Sequence, residues 1–371
     1  MEIHYEYALK QKETRNQMIS DINASEKPTV LFGLGKLYTM ESFFEKFDNK
    51  PEYLCDNDVN KQGKTFFGFK VISPNELSHI YSSYNVLILT IRHFEAMSDQ
   101  LKGLSVPPEK IYCLDIYNEG EDSAEYYKSQ EEKLQYIYSR LADDISRKTF
   151  ETVINYRLYR NSELLTGIVQ PIDNIYFPDF EDIPLSVSQK DVFVDAGAFC
   201  GDTVQCILER FGGGKAIYSF EPDPKSFSSL KKSTGQFPFV HCYQLGLSDI
   251  KATLNFSHDL GPSSYINENG TISVQADTLD NLLEDIPVTY IKMDIEGAEC
   301  SALRGAEQII RKYGPKLAIC TYHSDQDMVE VPLSIWKINP NYALYFRHYS
   351  NISTETVCYA ILPEQKVFSP A

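Results

Sequence analysis

The stretch that most constrains this chain runs from Asp191 to Glu221, DVFVDAGAFCGDTVQCILERFGGGKAIYSFE. Val192-Phe193-Val194 is an apolar run of the length of a buried parallel strand. It halts at Asp195-Ala196-Gly197. Gly201 follows, then Asp202 and Thr203, whose side-chain oxygens can cap a helix. The spacing predicts that helix over 203–210, ended by Gly212-Gly213-Gly214, and a second strand over 216–220 that finishes on Glu221. The result is a βαβ unit. Its glycines let a ligand lie against the backbone, and its terminal acid can take both hydroxyls of a ribose.

The turn reads D-x-G-x-x-x-G-D rather than G-x-G-x-x-G. A carboxylate ahead of the first glycine repels a pyrophosphate and attracts a cation. S-adenosylmethionine, with a sulfonium and an ammonium, is such a cation. Asp195 is placed to orient its methionine end and Glu221 to hold its ribose, with Gly197, Phe199, Gly201, Asp202 and Thr203 forming the turn around it. These residues resemble motif I and the following acidic position of class I methyltransferases.

Further strand ends carry polar groups. The third strand, 239–245, leads into Gly246-Leu247-Ser248-Asp249, where an adenine ring would lie, with backbone amides and Ser248 or Asp249 as candidate contacts. Segments 251–256 and 271–276 read as short antiparallel strands around a Gly/Ser/Asn-rich loop that includes 261–265. A buried strand ends at Asp294 and another at His323. Ligands of open α/β sheets bind at the carboxyl ends of strands, which gathers Asp195, Glu221, Asp294 and His323 on one rim. Segments 342–349 and 355–362 read as a terminal hairpin, with His348 and Glu355 placed to cap or brace the site.

At 371 residues the chain has room for two domains. Its N-terminal part, 1–118, alternates short buried strands with helices and reads as a Rossmann-like domain. Gly33 and Gly35 are in place, but Tyr38 occupies the third glycine position, and Asp56 falls where a ribose-binding acid would. The segment CDND, Lys61 and VISPNEL resemble the domain that precedes several bacterial sugar-modifying enzymes, which implies a nucleotide-binding or docking role. Residues 119–174 read as a helical linker, with Arg140, Arg147, Arg157 and Arg160 on solvated faces. The aromatic segment 171–178 either packs as a linker or covers the substrate side. Residues 175–371 form the second domain.

The net charge of −17 argues against a nucleic-acid partner. No apolar run reaches transmembrane length and the first residues are too polar for a signal peptide, so a cytoplasmic location is expected. The eight cysteines are scattered, without a C-x-x-C pair, and read as free thiols.

Residues 175–362 resemble the FkbM family of S-adenosylmethionine-dependent methyltransferases in VDAGAFCGDT, FEPD, LSD, TLD, IKMDIEGAE with LRGA after it, YH, RHYS and ETVCYA. The resemblance implies an α/β chain of two Rossmann-like domains, the second a class I methyltransferase sheet with a reversed last strand. It implies S-adenosyl-L-methionine as cofactor and O-methylation, frequently of sugar hydroxyls, with a small-molecule or glycan acceptor. A weakly nucleophilic hydroxyl is helped by a base. His323 is the candidate, with Asp294 beside it to orient it, to accept the proton itself, or to bind donor or acceptor. A cation held by Asp294, His323 and Asp325 is a second route to the same end. Two rival classes stay open: an NAD-linked nucleotide-sugar oxidoreductase or epimerase, and a non-catalytic nucleotide-sugar binding protein. Self-association also stays open.

Overall fold

The computed structural model of the chain describes residues 1–3, 5, 17–25, 27–33, 48, 51–66, 68–89, 94–113, 123–159, 162–179, 183, 185–256 and 272–363. Gly35, Tyr38, Arg160 and the loop at 261–265 lie outside them. The chain divides into two compact units, residues 4–124 and residues 125–371 with 1–3.

The N-terminal unit is built on strands β1 (Thr29–Phe32), β2 (Tyr53–Cys55), β3 (Thr65–Phe66), β4 (Phe69–Ile72), β5 (Asn85–Ile88) and β6 (Ile111–Cys113). Their order is β3-β4-β2-β1-β5-β6, parallel except where β3 meets β4. β1 and β5 are buried at every position, as strands covered on both faces must be. The helix Pro74–Ile80 begins with the capping box that Ser73 and Glu76 promise: Ser73 Oγ accepts from Glu76 N, and the Glu76 carboxylate accepts from Ser73 N. Asp56 ends β2, but its Oδ1 accepts from the backbone of Asp58 and its Oδ2 pairs with Lys61 at 2.9 Å.

The second unit holds seven strands: β7 (Val192–Ala196), β8 (Ala216–Phe220), β9 (Val240–Tyr243), β13 (Tyr290–Met293), β14 (Lys316–Cys320), β15 (Ala343–His348) and β16 (Thr356–Ile361). Their order is β15-β16-β14-β13-β7-β8-β9. All neighbours are parallel except β16, which runs against both β14 and β15. This is the class I methyltransferase sheet with its reversed strand inserted by the terminal hairpin. A small side sheet of β10 (Gly246–Leu247), β11 (Ala252–Phe256) and β12 (Ile272–Asp277) stands beside it, with β11 and β12 antiparallel.

Helices Glu131–Arg140 and Asp144–Tyr159 belong to this second unit. Arg157, expected on a solvated face, is instead 4% exposed and pairs with Asp325 at 2.9 Å, while Tyr127 donates to the same carboxylate. Arg347 of β15 is likewise buried against Asp143 at 2.9 Å. Desolvating a guanidinium is costly without a partner, so each arginine ties this helical segment to the sheet through a matched acid. Among the described residues no helix is long and apolar enough to cross a membrane.

Candidate active site

A cavity of about 260 Å³ opens at the carboxyl ends of β7, β8 and β13. Its position follows from topology: the chain leaves β7 toward one side of the sheet and β13 toward the other, so their ends diverge and leave a crevice.

Gly197 and Phe199, in the turn after β7, line this cavity, and Gly197 has a second constraint. Its φ is +76°, and a Cβ there would stand 1.8 Å from the Asp294 carbonyl oxygen. Only glycine lets the turn lie so close to the end of β13. Gly201 serves packing instead: a Cβ would meet Ser233 Oγ at 2.8 Å on the neighbouring helix. The helix starts at Asp202, with Gly201 as its cap and without a side-chain capping bond, which corrects the expected role of Asp202 and Thr203. Asp202 lines the cavity, whereas Thr203 is buried away from it.

Glu221 stands at the end of β8 as expected. Its Oε2 accepts from Phe199 N at 2.9 Å and its Oε1 from Asp223 N at 2.8 Å. Two backbone donors fix the carboxylate at the cavity wall. Burial nevertheless pushes it up to about 7, because those two bonds only partly offset desolvation.

Asp195 is not on the wall. It is 1% exposed, and Lys292 Nζ lies 3.1 Å from its Oδ1. The register explains this, since Asp195 and Lys292 are partners on the adjacent parallel strands β7 and β13. Lys292 also donates to the carbonyls of Ala196 and Gly197, at 3.2 and 2.8 Å, and sits 5.0 Å from the Tyr176 ring centroid. Burial alone would lower its pKa, but Asp195, Asp294 and Asp202 outweigh that and hold it charged. The strand residue that reaches the cavity is therefore Lys292, with Asp195 as its counter-ion beneath.

Ser248 and Asp249 lie just beyond the cavity. Asp249 accepts from Ser301 Oγ at 2.9 Å and pairs with Arg304 at 2.8 Å. The wall here is made by Leu245, Gly246 and Leu247, facing Val274 and Ala276 of β12. An apolar slot thus replaces the polar contact expected two residues later.

The other end of the cavity is polar. Asp294 accepts from Tyr176 Oη at 2.8 Å, from Tyr322 Oη at 2.8 Å, and lies 3.2 Å from His323 Nε2. Burial opposes its ionisation, but His323, Lys292 and Tyr176 prevail and hold it far below the usual carboxylate range. His323 is 9% exposed. Its Nε2 faces Asp294 and, at 3.5 Å, Glu296; its Nδ1 lies 3.2 Å from the fully buried Glu299. Neither nitrogen meets the alignment of a good hydrogen bond, so the contacts are chiefly ionic. Burial favours a neutral ring, yet Asp294 and Glu299 overcome it and push the histidine up to about 11. Two carboxylates around it favour the imidazolium at neutral pH, whereas the sequence points to His323 as a base. Asp325, expected beside it around a cation, faces Arg157 instead.

Tyr176, Glu296 and Tyr322 line the cavity beyond the sequence-based set, next to Glu355, which the sequence already places at the site. Tyr176, Glu296 and Glu355 have φ of 65°, 57° and 66°, and Phe199, already expected, has 44°. Such conformations cost non-glycine residues about 1–3 kcal/mol each and gather where a site over-determines the backbone. Tyr322 is held by Asp294. Burial pushes Glu296 and Glu355 up to about 7. The YH and ETVCYA segments held the signal for Tyr322 and Glu355. His348 faces away, with Nδ1 on Thr356 Oγ1 at 2.8 Å, and burial lowers it to about 4.

This site lies within residues 195–346, which match the Methyltransferase FkbM domain. The chain carries an FkbM methyltransferase domain. The crystal structure of methyltransferase FkbM from Methylobacillus flagellatus KT shares its fold, with a TM-score of 0.72 at 20% identity over 92% of each chain. An rRNA methylase from Streptococcus thermophilus aligns with a TM-score of 0.32 at 16% identity, over 48% of this chain and 90% of that one. Aeropyrum pernix fibrillarin, solved with natively bound S-adenosyl-L-methionine, aligns at 0.33 and 12% identity, over 49% and 70%. Neither of these smaller likenesses bears on the ligand of the FkbM domain here. No curated protein matches the chain.

Proposed function

We propose that the cavity of the FkbM domain binds S-adenosyl-L-methionine and that the protein methylates a sugar hydroxyl of a glycan or nucleotide-sugar, by in-line transfer assisted by a base. The observation that carries this reading is the Glu221 carboxylate, fixed at the wall by the amides of Phe199 and Asp223. Each of its oxygens keeps a lone pair for one hydroxyl of a ribose. The slot of Leu245, Leu247, Val274 and Ala276 beside it suits an adenine ring. Asp202, Asp294, Glu296 and Glu355 supply a negative field suited to a cationic donor. When bound, the cofactor supplies a methyl group on a positively charged sulfur.

The chain's own contribution is alignment and proton management. Tyr176 and Tyr322 donate to Asp294 and fix that carboxylate as an acceptor for donor or substrate. Holding oxygen, methyl and sulfur in line supplies much of the rate. The same acids disfavour phosphates next to the reacting hydroxyl, which favours a neutral glycan over a nucleotide-sugar.

The test is methyl transfer from isotopically labelled donor to a panel of neutral glycosides and nucleotide-sugars, with the product located by NMR. O-methylated sugar is the expected product, and a chiral methyl group should arrive inverted. Methylation of a nitrogen or carbon centre, or retention at the methyl, overturns the reading.

A further inference from the structure

We infer that Glu355, on the turn that enters β16, is the base that takes the proton from the acceptor hydroxyl of a neutral polyol or glycoside. The inference rests on the methyltransferase reading above and assigns its proton acceptor.

A base needs a free lone pair within reach of the substrate. Asp294, Glu296 and Glu355 line the polar end of the cavity, with His323 behind Asp294, and these four compete for the role. Asp294 accepts from Tyr176 and Tyr322 and is paired with His323, and these partners hold it far below the usual carboxylate range, so it can accept a hydrogen bond but is a poor base. His323 already carries its proton between Asp294 and Glu299. Glu296 is already paired with His323, at 3.5 Å, so its carboxylate is committed to that cation. Glu355 lines the cavity, is half-buried, and its carboxylate has no hydrogen-bond or ion-pair partner among the described residues. It is also held in a left-handed conformation at φ 66°, with its carbonyl bonded to Tyr349 N at 3.0 Å. That strain is retained where the hairpin must present the side chain to the cavity.

The groups that set its proton affinity come from several elements. Burial raises it most; Asp294 after β13 and Asp202 of the helix after β7 raise it, and His323 after β14 and Lys292 of β13 lower it. The outcome is about 7, where a carboxylate is basic enough to act and still ionised in useful amount. In the step, the acceptor oxygen forms a bond to the methyl carbon as the carbon–sulfur bond breaks. The electron pair of that bond returns to sulfur and leaves a neutral thioether. The hydroxyl proton moves to a Glu355 oxygen and then to solvent through the open cavity.

The experiment compares wild type with Glu355→Gln, with Glu296→Gln as a companion. Calorimetry with S-adenosylhomocysteine should give affinities within about threefold of each other; no binding to wild type would sink the cofactor reading, a failure separate from this one. Infrared difference spectra between wild type and Glu355→Gln should isolate one carboxyl titrating near pH 7, without any acceptor. With the glycoside panel, Glu355→Gln should lose about a hundredfold or more of kcat, together with the acidic limb of its pH profile. Glu296→Gln should keep that limb. Identical infrared titrations, a Glu355→Gln enzyme that keeps turnover and limb, or a wild type that binds donor yet methylates no neutral glycoside would each overturn the inference.

Discussion

His323 Nε2 lies 3.2 Å from Asp294 Oδ1 while its Nδ1 lies 3.2 Å from Glu299, so the histidine is a cation clamped between two carboxylates. It holds Asp294 in place at the end of β13. A ring whose pKa rises from 6.5 to about 11 on folding stabilises fully below about pH 6.5, and that stability is lost as pH climbs through about 11. His323→Gln leaves the carboxylates without their cation and should cost about 3–5 kcal/mol at pH 6. The cost should shrink at pH 9. Urea unfolding at both values checks this; an equal cost at both would contradict it.

Lys292 and Asp195 form the second buried pair. Lys292→Met strands a carboxylate that is 1% exposed and should cost about 3–5 kcal/mol. Lys292→Met with Asp195→Asn should recover much of that, because the stranded charge is gone. Additive losses in the double variant would show that the two residues act separately.

The turn after β7 should reject any Cβ. Gly197→Ala combines a φ of +76° with a 1.8 Å approach to the Asp294 carbonyl and should cost at least about 3 kcal/mol. Gly297→Ala, with a φ of +93° but a nearest contact of 3.9 Å, should cost only about 1–2 kcal/mol. Equal melting temperatures for the two would refute the close-approach argument.

The ligand-free protein should lose stability as pH rises. Glu221, Glu296 and Glu355 are each pushed from 4.5 up to about 7, chiefly by burial. Folded values above unfolded ones mean the native state binds more protons. Their contribution is therefore full below about pH 4.5 and is lost through about pH 7. Thermal unfolding should show this decline, and a sulfonium ligand should raise the melting point more at pH 8 than at pH 6. A ligand-free melting point that climbs across this window would contradict the acidic cavity.

The sequence reached the scaffold of this site by local signals. An apolar run, a glycine turn and a terminal acid placed β7, β8 and Glu221, and the alternating segments at 342–349 and 355–362 disclosed the hairpin. It assigned Asp195 to the ligand because strand-end position is visible in one segment while cross-strand register is not. Lys292, in the buried run YIKM, was the missing clue: a lysine inside a β-strand core requires an acid on a neighbouring strand. The carboxylate clamp on His323 was hidden for the same reason, since Glu299 reaches it from the helix that follows the neighbouring strand β13. The hairpin pattern places Glu355 at the site, but its left-handed backbone is visible only in the folded chain.

The most direct test of the account is calorimetric titration with S-adenosylhomocysteine and, separately, NAD⁺, on wild type and Glu221→Ala. Micromolar binding of the first ligand, weakened about thirtyfold or more in the variant, is the expected result. Binding of NAD⁺ alone, unchanged by the substitution, would contradict it and move the ligand site away from β8.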